Sequence, residues 1–191
     1  MTDLVQIAPG LYRWTAVYPK ADPPSPDDWL DPVGCVAYET ADGLVLIDPL
    51  VEDEHWARLD ALAEKHRGRV AVLTTIHYHE RSRAAVSDRY GARTETPAGV
   101  TPIEFPRFRE TMFWLEEQRA LVPGDRLIGD EGGGIRLPPE QWIEYIGGVT
   151  LDELRAELRE KLLDLPAEMV VVSHGEPVLT GGRATIERAL A

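Results

Sequence analysis

Cysteine is almost missing from this chain of 191 residues: Cys35 stands alone, so no intrachain disulfide can form. A domain held together without disulfides suits a reducing compartment, and a cytoplasmic location is the expectation. Long apolar runs are missing too. No segment approaches the roughly 20 apolar residues that a membrane helix needs. The N-terminal stretch Met1-Thr2-Asp3-Leu4-Val5-Gln6 has no basic region and no apolar core, so no signal peptide is expected. Positive charge is scarce. Twenty Lys and Arg stand against 33 Asp and Glu, a formal net charge of −13. That sign argues against nucleic acid and against anionic membranes as partners, because both attract basic surfaces. No internal repeat and no low-complexity tract interrupts the chain.

The apolar content is ordinary. At 43% it suffices for a sizeable core, and we expect a single domain over residues 1–191, or two intimately packed halves. Leu4–Ile7 and Leu11–Val17 read as strands around Pro9-Gly10. Gly34–Glu39 and Leu44–Ile47 follow as a hairpin turning at Thr40-Ala41-Asp42-Gly43. Cys35 lies in the first of that pair and reads as a buried structural thiol. Between the two pairs, Pro19–Pro32 is proline-rich and carries Trp29, which predicts a loop. Asp53–His66 has helical apolar spacing, with His55 and His66 assigned to its polar side. Val70–Ile76 reads as a buried strand, and Arg83–Tyr90 as a helix stopped by Gly91. Thr111–Leu115 and Arg119–Val122 form a second hairpin. Asp130–Pro139, with three glycines, reads as a flexible loop. Thr150 and Glu153 predict a capping box for a helix over 151–165. Glu168–Val172 is a strand and Arg183–Leu190 a closing helix. Strands alternating with helices imply an α/β layered architecture.

Chemistry concentrates at the strand ends. The run Leu73-Thr74-Thr75-Ile76-His77-Tyr78-His79-Glu80-Arg81-Ser82 pairs two histidines at i and i+2. In extended backbone such residues point the same way, so His77 and His79 would converge on one point. Asp48 follows Leu44–Ile47, Asp125 follows Pro123-Gly124, and His174 follows the 168–172 strand. Strand-end polar residues of α/β layers tend to gather on one rim. Histidines with a carboxylate suit zinc or another borderline divalent metal. Each also has a plainer reading, as a hydrogen-bonded strand-end histidine or a turn aspartate.

Taken together and in this order, Leu44-Val45-Leu46-Ile47-Asp48, His77-x-His79, Gly124-Asp125 and Ser173-His174-Gly175-Glu176-Pro177 resemble the metallo-β-lactamase superfamily. The resemblance spans nearly the whole chain. It implies an αββα four-layer sandwich and hydrolysis of esters, thioesters, lactones, β-lactams or phosphoesters by metal-activated water. The signature of that family is His-x-His-x-Asp-His. His77 and His79 fill its first two positions, but Arg81 and Ser82 stand where its aspartate and last histidine would be. The stretch Phe105–Thr111, where the family has a further histidine, has none. Asp125 matches the bridging aspartate, His174 the final histidine, and Asp48 a supporting aspartate.

The departures bear on metal count. A second ion would keep only Asp125 and His174, and Arg81 brings a fixed positive charge to its place. The resemblance therefore implies at most one divalent ion, Zn, Mn or Fe, held by His77, His79, Asp125 and His174. Asp125 would orient water or act as base, and Arg81, paired with Asp125, would stabilise developing negative charge. The expected protein is a hydrolase with a small-molecule substrate, with a homo-oligomer as its expected form of self-association. The alternative is a catalytically inactive descendant that binds no metal and holds a small anionic ligand or a protein partner in the old cleft.

Overall fold

The N-terminal apolar runs fold as an antiparallel meander: β1 (Thr2–Ala8), β2 (Leu11–Ala16), β3 (Val33–Thr40) and β4 (Gly43–Ile47). The computed structural model describes residues 2–19 and 31–191, so the body of the proline-rich loop with Trp29 lies outside the described residues. After α1 (Asp53–Lys65), β5 (Val70–Leu73) adds in parallel beside β4, and α2 (Arg83–Tyr90) follows. The crossover helix between two parallel strands is what a parallel pair requires. These elements form one compact unit, Met1–Leu73 with Glu80–Pro97.

Helices cover one face of this five-stranded sheet. Leu59 and Ala63 of α1 and Val86 of α2 pack with Trp14, Cys35, Ala37, Leu46 and Val72. The alternate residues Val36, Tyr38, Val45 and Ile47 are also buried, so β3 and β4 are apolar on both faces. That explains why they read as continuous apolar runs rather than as alternating ones. His55 departs from its expected place on the polar side of α1. It is buried, accepts the Glu52 N–H on Nδ1 at 3.2 Å and lies against Trp14, closing the helix N-terminus as the third residue of a capping box. Cys35 is fully buried, and burial pushes its thiol up to about 11.

The second unit comprises Thr74–His79 and Ala98–Ala191. Its β6 (Val100–Phe105), β7 (Glu110–Leu115) and β8 (Ala120–Val122) are antiparallel. A small hairpin follows, β9 (Ile128–Gly129) with β10 (Ile135–Arg136). Then come α3 (Glu140–Glu144), α4 (Leu151–Leu162), β11 (Met169–Val170) and α5 (Gly182–Ala189). β11 pairs in parallel with β8, giving the order β11-β8-β7-β6. Leu154, Leu158 and Leu162 recur every fourth position along α4, and all three are fully buried. They pack with Ile186 of α5 and with Met112, Trp114, Leu121 and Val170 of the sheet. Each fully buried leucine contributes about 2 kcal/mol of transfer free energy. Thr150 caps α4 with the expected box: its Oγ1 accepts from the Glu153 N–H at 3.2 Å, and Glu153 Oε2 accepts from the Thr150 N–H at 2.8 Å. The segment 130–139 is not simply a loop. Its glycines make the turn of the β9–β10 hairpin, which is too short to carry an apolar pattern.

Gly43 closes the β3–β4 hairpin opposite Thr40 with φ +148°. A Cβ there would stand 2.3 Å from the Arg69 carbonyl oxygen. Gly91 ends α2 at φ +59° with open space around it. Gly43→Ala is expected to cost about 3 kcal/mol, through strain and forced backbone displacement. Gly91→Ala is expected to cost about 1 kcal/mol, from the left-handed conformation alone. Urea denaturation of both variants checks the difference; equal losses would contradict it.

Candidate metal centre

β5 stops at Leu73, three residues before the expected end of the strand, and the chain bends through Thr74–Ile76 into a 3₁₀ turn, His77–His79. His79 N–H donates to the Ile76 carbonyl at 2.8 Å. Successive residues of a 3₁₀ turn are about 120° apart, so i and i+2 diverge. The expected convergence of His77 and His79 in extended backbone is therefore replaced. His79 is 3% exposed, while His77 is exposed and its ring lies 3.7 Å from that of Tyr78.

His79 meets the other two predicted residues. Its Nε2 is 3.0 Å from Asp125 Oδ1, and His174 Nε2 is 3.1 Å from the same oxygen. One ligand atom from each of His79, Asp125 and His174 lies within 4.8 Å of the others. Burial opposes ionisation of Asp125, but hydrogen bonds from His174 and His79 outweigh it. They hold the carboxyl well below the usual carboxylate range. On its far side, His79 Nδ1 lies 3.1 Å from Thr75 Oγ1. The Trp142 ring meets His174 edge-on at 5.5 Å. A second group, Glu52, Glu54 and His55, has two exposed acids and is the capped start of α1.

Glu110, which sequence reading passed over, holds the loop that carries Asp125. Its carboxylate accepts three consecutive backbone N–H groups: Gly124 at 3.0 Å, Asp125 at 2.8 Å and Arg126 at 3.0 Å. Arg126, also buried, lies 3.9 Å away and donates through Nε and Nη2 to the Phe108 carbonyl. Burial pushes the Glu110 carboxyl up to about 7, against the opposing pull of Arg126 and those backbone N–H groups. Gly124 is there for space: a Cβ would stand 2.7 Å from Thr75 Oγ1 and 2.9 Å from Glu110 Oε2.

Arg81 and Asp48 belong to the first unit, where Arg81 ties strand ends together. Its Nη1 donates to the carbonyls of Asp48 at 2.7 Å and Gly34 at 2.8 Å, and its Nε to the Tyr18 hydroxyl at 3.1 Å. Both Asp48 and Arg81 have positive φ, 50° and 41°. The same guanidinium lies 3.6 Å from Cys35 Sγ.

In the second unit a cleft of about 220 Å³ opens beside the centre. Asp125 lines it, with Tyr78, Trp142, Tyr145, Ile146 and Arg109. His77 is also in its wall.

No protein-family profile matches the chain, and no curated protein is similar to it in sequence. Solved structures are similar in fold. DIM-1 metallo-beta-lactamase superposes with a TM-score of 0.60 at 12% identity, covering 98% of this chain and 98% of its own. A metallo-beta-lactamase from Erythrobacter litoralis gives 0.57 at 17% identity, covering 98% and 89%. A metallo-beta-lactamase family protein from Thermus thermophilus gives 0.53 at 17%, covering 96% and 79%.

The chain has the metallo-β-lactamase fold.

His79, Asp125 and His174 are a candidate donor set for a divalent ion. Two imidazole nitrogens and an ionised carboxylate, a short distance apart and half-buried to buried, are a three-ligand set of the kind that leaves a fourth position open. The contact of the Thr75 hydroxyl with Nδ1 fixes the His79 ring so that its Nε2 faces Asp125. Replacing Glu110 tests how the centre is held. Glu110→Ala removes the acceptor of three backbone N–H groups and is expected to destabilise the fold by about 3 kcal/mol or more. Glu110→Gln keeps one acceptor oxygen and is expected to cost about half as much. Chemical denaturation of the two variants checks this, and a loss below about 1 kcal/mol in Glu110→Ala would contradict the role.

Proposed function

We propose that this protein is a hydrolase that uses one divalent ion, held by His79, Asp125 and His174, to cleave a small ester, thioester, lactone or phosphoester. The observation that carries the reading is the meeting of both imidazoles on Asp125 Oδ1 at the mouth of a cleft. A divalent ion bound there would supply Lewis acidity and lower the pKa of its water toward neutrality. The chain's own residues do the rest. Asp125, kept ionised, offers charge to the ion and an acceptor that orients water. His79 and His174 would each offer an Nε2 lone pair to the ion.

His77 takes a different part from the one its spacing suggests. In this reading His77, exposed in the cleft wall against Tyr78, passes a proton to the leaving group. Arg81, with Nε and Nη1 committed to Tyr18, Gly34 and Asp48, acts by holding the strand ends of its own unit.

A second reading rests on the same carboxylate. Asp125 is already hydrogen-bonded by two histidines, a network that needs no ion and could serve a non-catalytic binding cleft. Metal analysis separates the two. Protein purified without chelators or a histidine tag, then titrated with Zn, Mn or Fe, is expected to hold about one ion per chain. His79→Ala and His174→Ala are each expected to lose it. His77→Ala is expected to keep the ion but to lose roughly 100-fold in ester turnover. Absence of stoichiometric metal in the unaltered protein would favour the non-catalytic reading.

A further inference from the structure

Arg109 is the residue that the centre leaves unexplained. It ends a short 3₁₀ turn, Pro106–Phe108, with φ 54°, in the left-handed region that an L side chain occupies at a cost. Nothing about that turn calls for arginine; glycine or asparagine would sit there more cheaply. The side chain is exposed and lines the cleft beside Asp125, Trp142 and Tyr145. Some exposed arginines of this acidic chain are held in ion pairs. Arg89 pairs with Asp60, Arg107 with Glu153, Arg119 with Glu168 and Arg183 with Glu187. Arg109 has no ion-pair partner among the described residues. Arg126, the other cation of the cleft, is committed through Nε and Nη2 to the Phe108 carbonyl.

The cleft therefore offers one uncommitted guanidinium, an aromatic wall and an ionised carboxylate. Tyr78 is 49% exposed and Tyr145 76% exposed, and their rings lie 6.2 Å apart. Exposed aromatics paired at a cleft mouth offer apolar area at little entropic cost. The volume, about 220 Å³, is of the size that takes one ring with a few further atoms. A guanidinium binds a carboxylate through two parallel hydrogen bonds.

We propose that Arg109 is a specificity-determining residue that binds the carboxylate of a small substrate whose single aromatic or branched apolar group lies on Tyr78, Trp142 and Tyr145. This rests on the cleft being the substrate site of the hydrolase, and it narrows the substrate to carboxylate-bearing esters or lactones.

Phenylacetate and its neutral analogue phenylacetamide test the assignment by isothermal titration calorimetry on the folded protein, with no turnover required. Phenylacetate is expected to bind at least tenfold more tightly than the amide. Arg109→Ala and Arg109→Gly are expected to erase that preference, with amide binding unchanged. Arg109→Gly, relieved of its left-handed strain, should melt no lower than the unaltered protein. A carboxylate preference that depends on Arg109 supports the assignment even where ester turnover is absent, which keeps it distinct from failure of the hydrolase reading. Equal binding of acid and amide, a preference that survives both variants, or no phenylacetate binding at millimolar concentration would overturn it.

Discussion

One buried carboxylate fixes the geometry on which the centre depends. Glu110 collects the N–H groups of Gly124, Asp125 and Arg126, and so converts a Pro-Gly turn into a rigid support. Leaving such donors unpaired in the interior would cost a few kcal/mol. Satisfying all three with one side chain fixes the backbone of Asp125 independently of the contacts its own side chain makes. The two histidines meet a carboxylate whose backbone is held from the other side. The absence of a side chain at Gly124 lets Thr75 and Glu110 approach the same spot from either side.

The first unit reaches order by a different device. There a cation does the work that a carboxylate does in the second. Arg81 draws the carbonyls of Gly34 and Asp48 toward one guanidinium, and two residues with positive φ, Asp48 and Arg81 itself, are held there. Strained backbone persists only where its surroundings over-determine it, and three hydrogen bonds from a single planar group do so. Arg81 thus serves the first unit as an anchor of its strand ends.

Much of this was legible in the sequence, for reasons that can be named. Asp125 and His174 stand out at a tight turn and a strand end, and it is the resemblance to the superfamily pattern that singles them out from ordinary turn residues. The helix caps, the hairpin at Ala41-Asp42 and the buried Cys35 followed from local chemistry. His77 was misjudged because Thr74-Thr75-Ile76 is β-branched and reads as more strand, whereas Thr75 is needed to face His79 and Thr111. Glu110 was illegible. A carboxylate at the start of a strand looks like any solvated acid, and its partners are backbone N–H groups that every sequence possesses. His55 failed likewise, since helical spacing says which face is apolar but not that a histidine can close the first turn from within.

The second unit is not contiguous in sequence. Its segment Thr74–His79 is lent by a stretch of chain that otherwise belongs to the first. His79 therefore reaches Asp125 across 46 residues of chain and His174 across 95. Contacts of such separation close late, because the loop entropy must be met before they form. A polypeptide beginning at Ala98 would carry two of the three donors and no third. The centre is in this sense a seal on the finished molecule: a nascent chain cannot assemble it until the segment that follows Leu73 and the loop bearing His174 have both emerged.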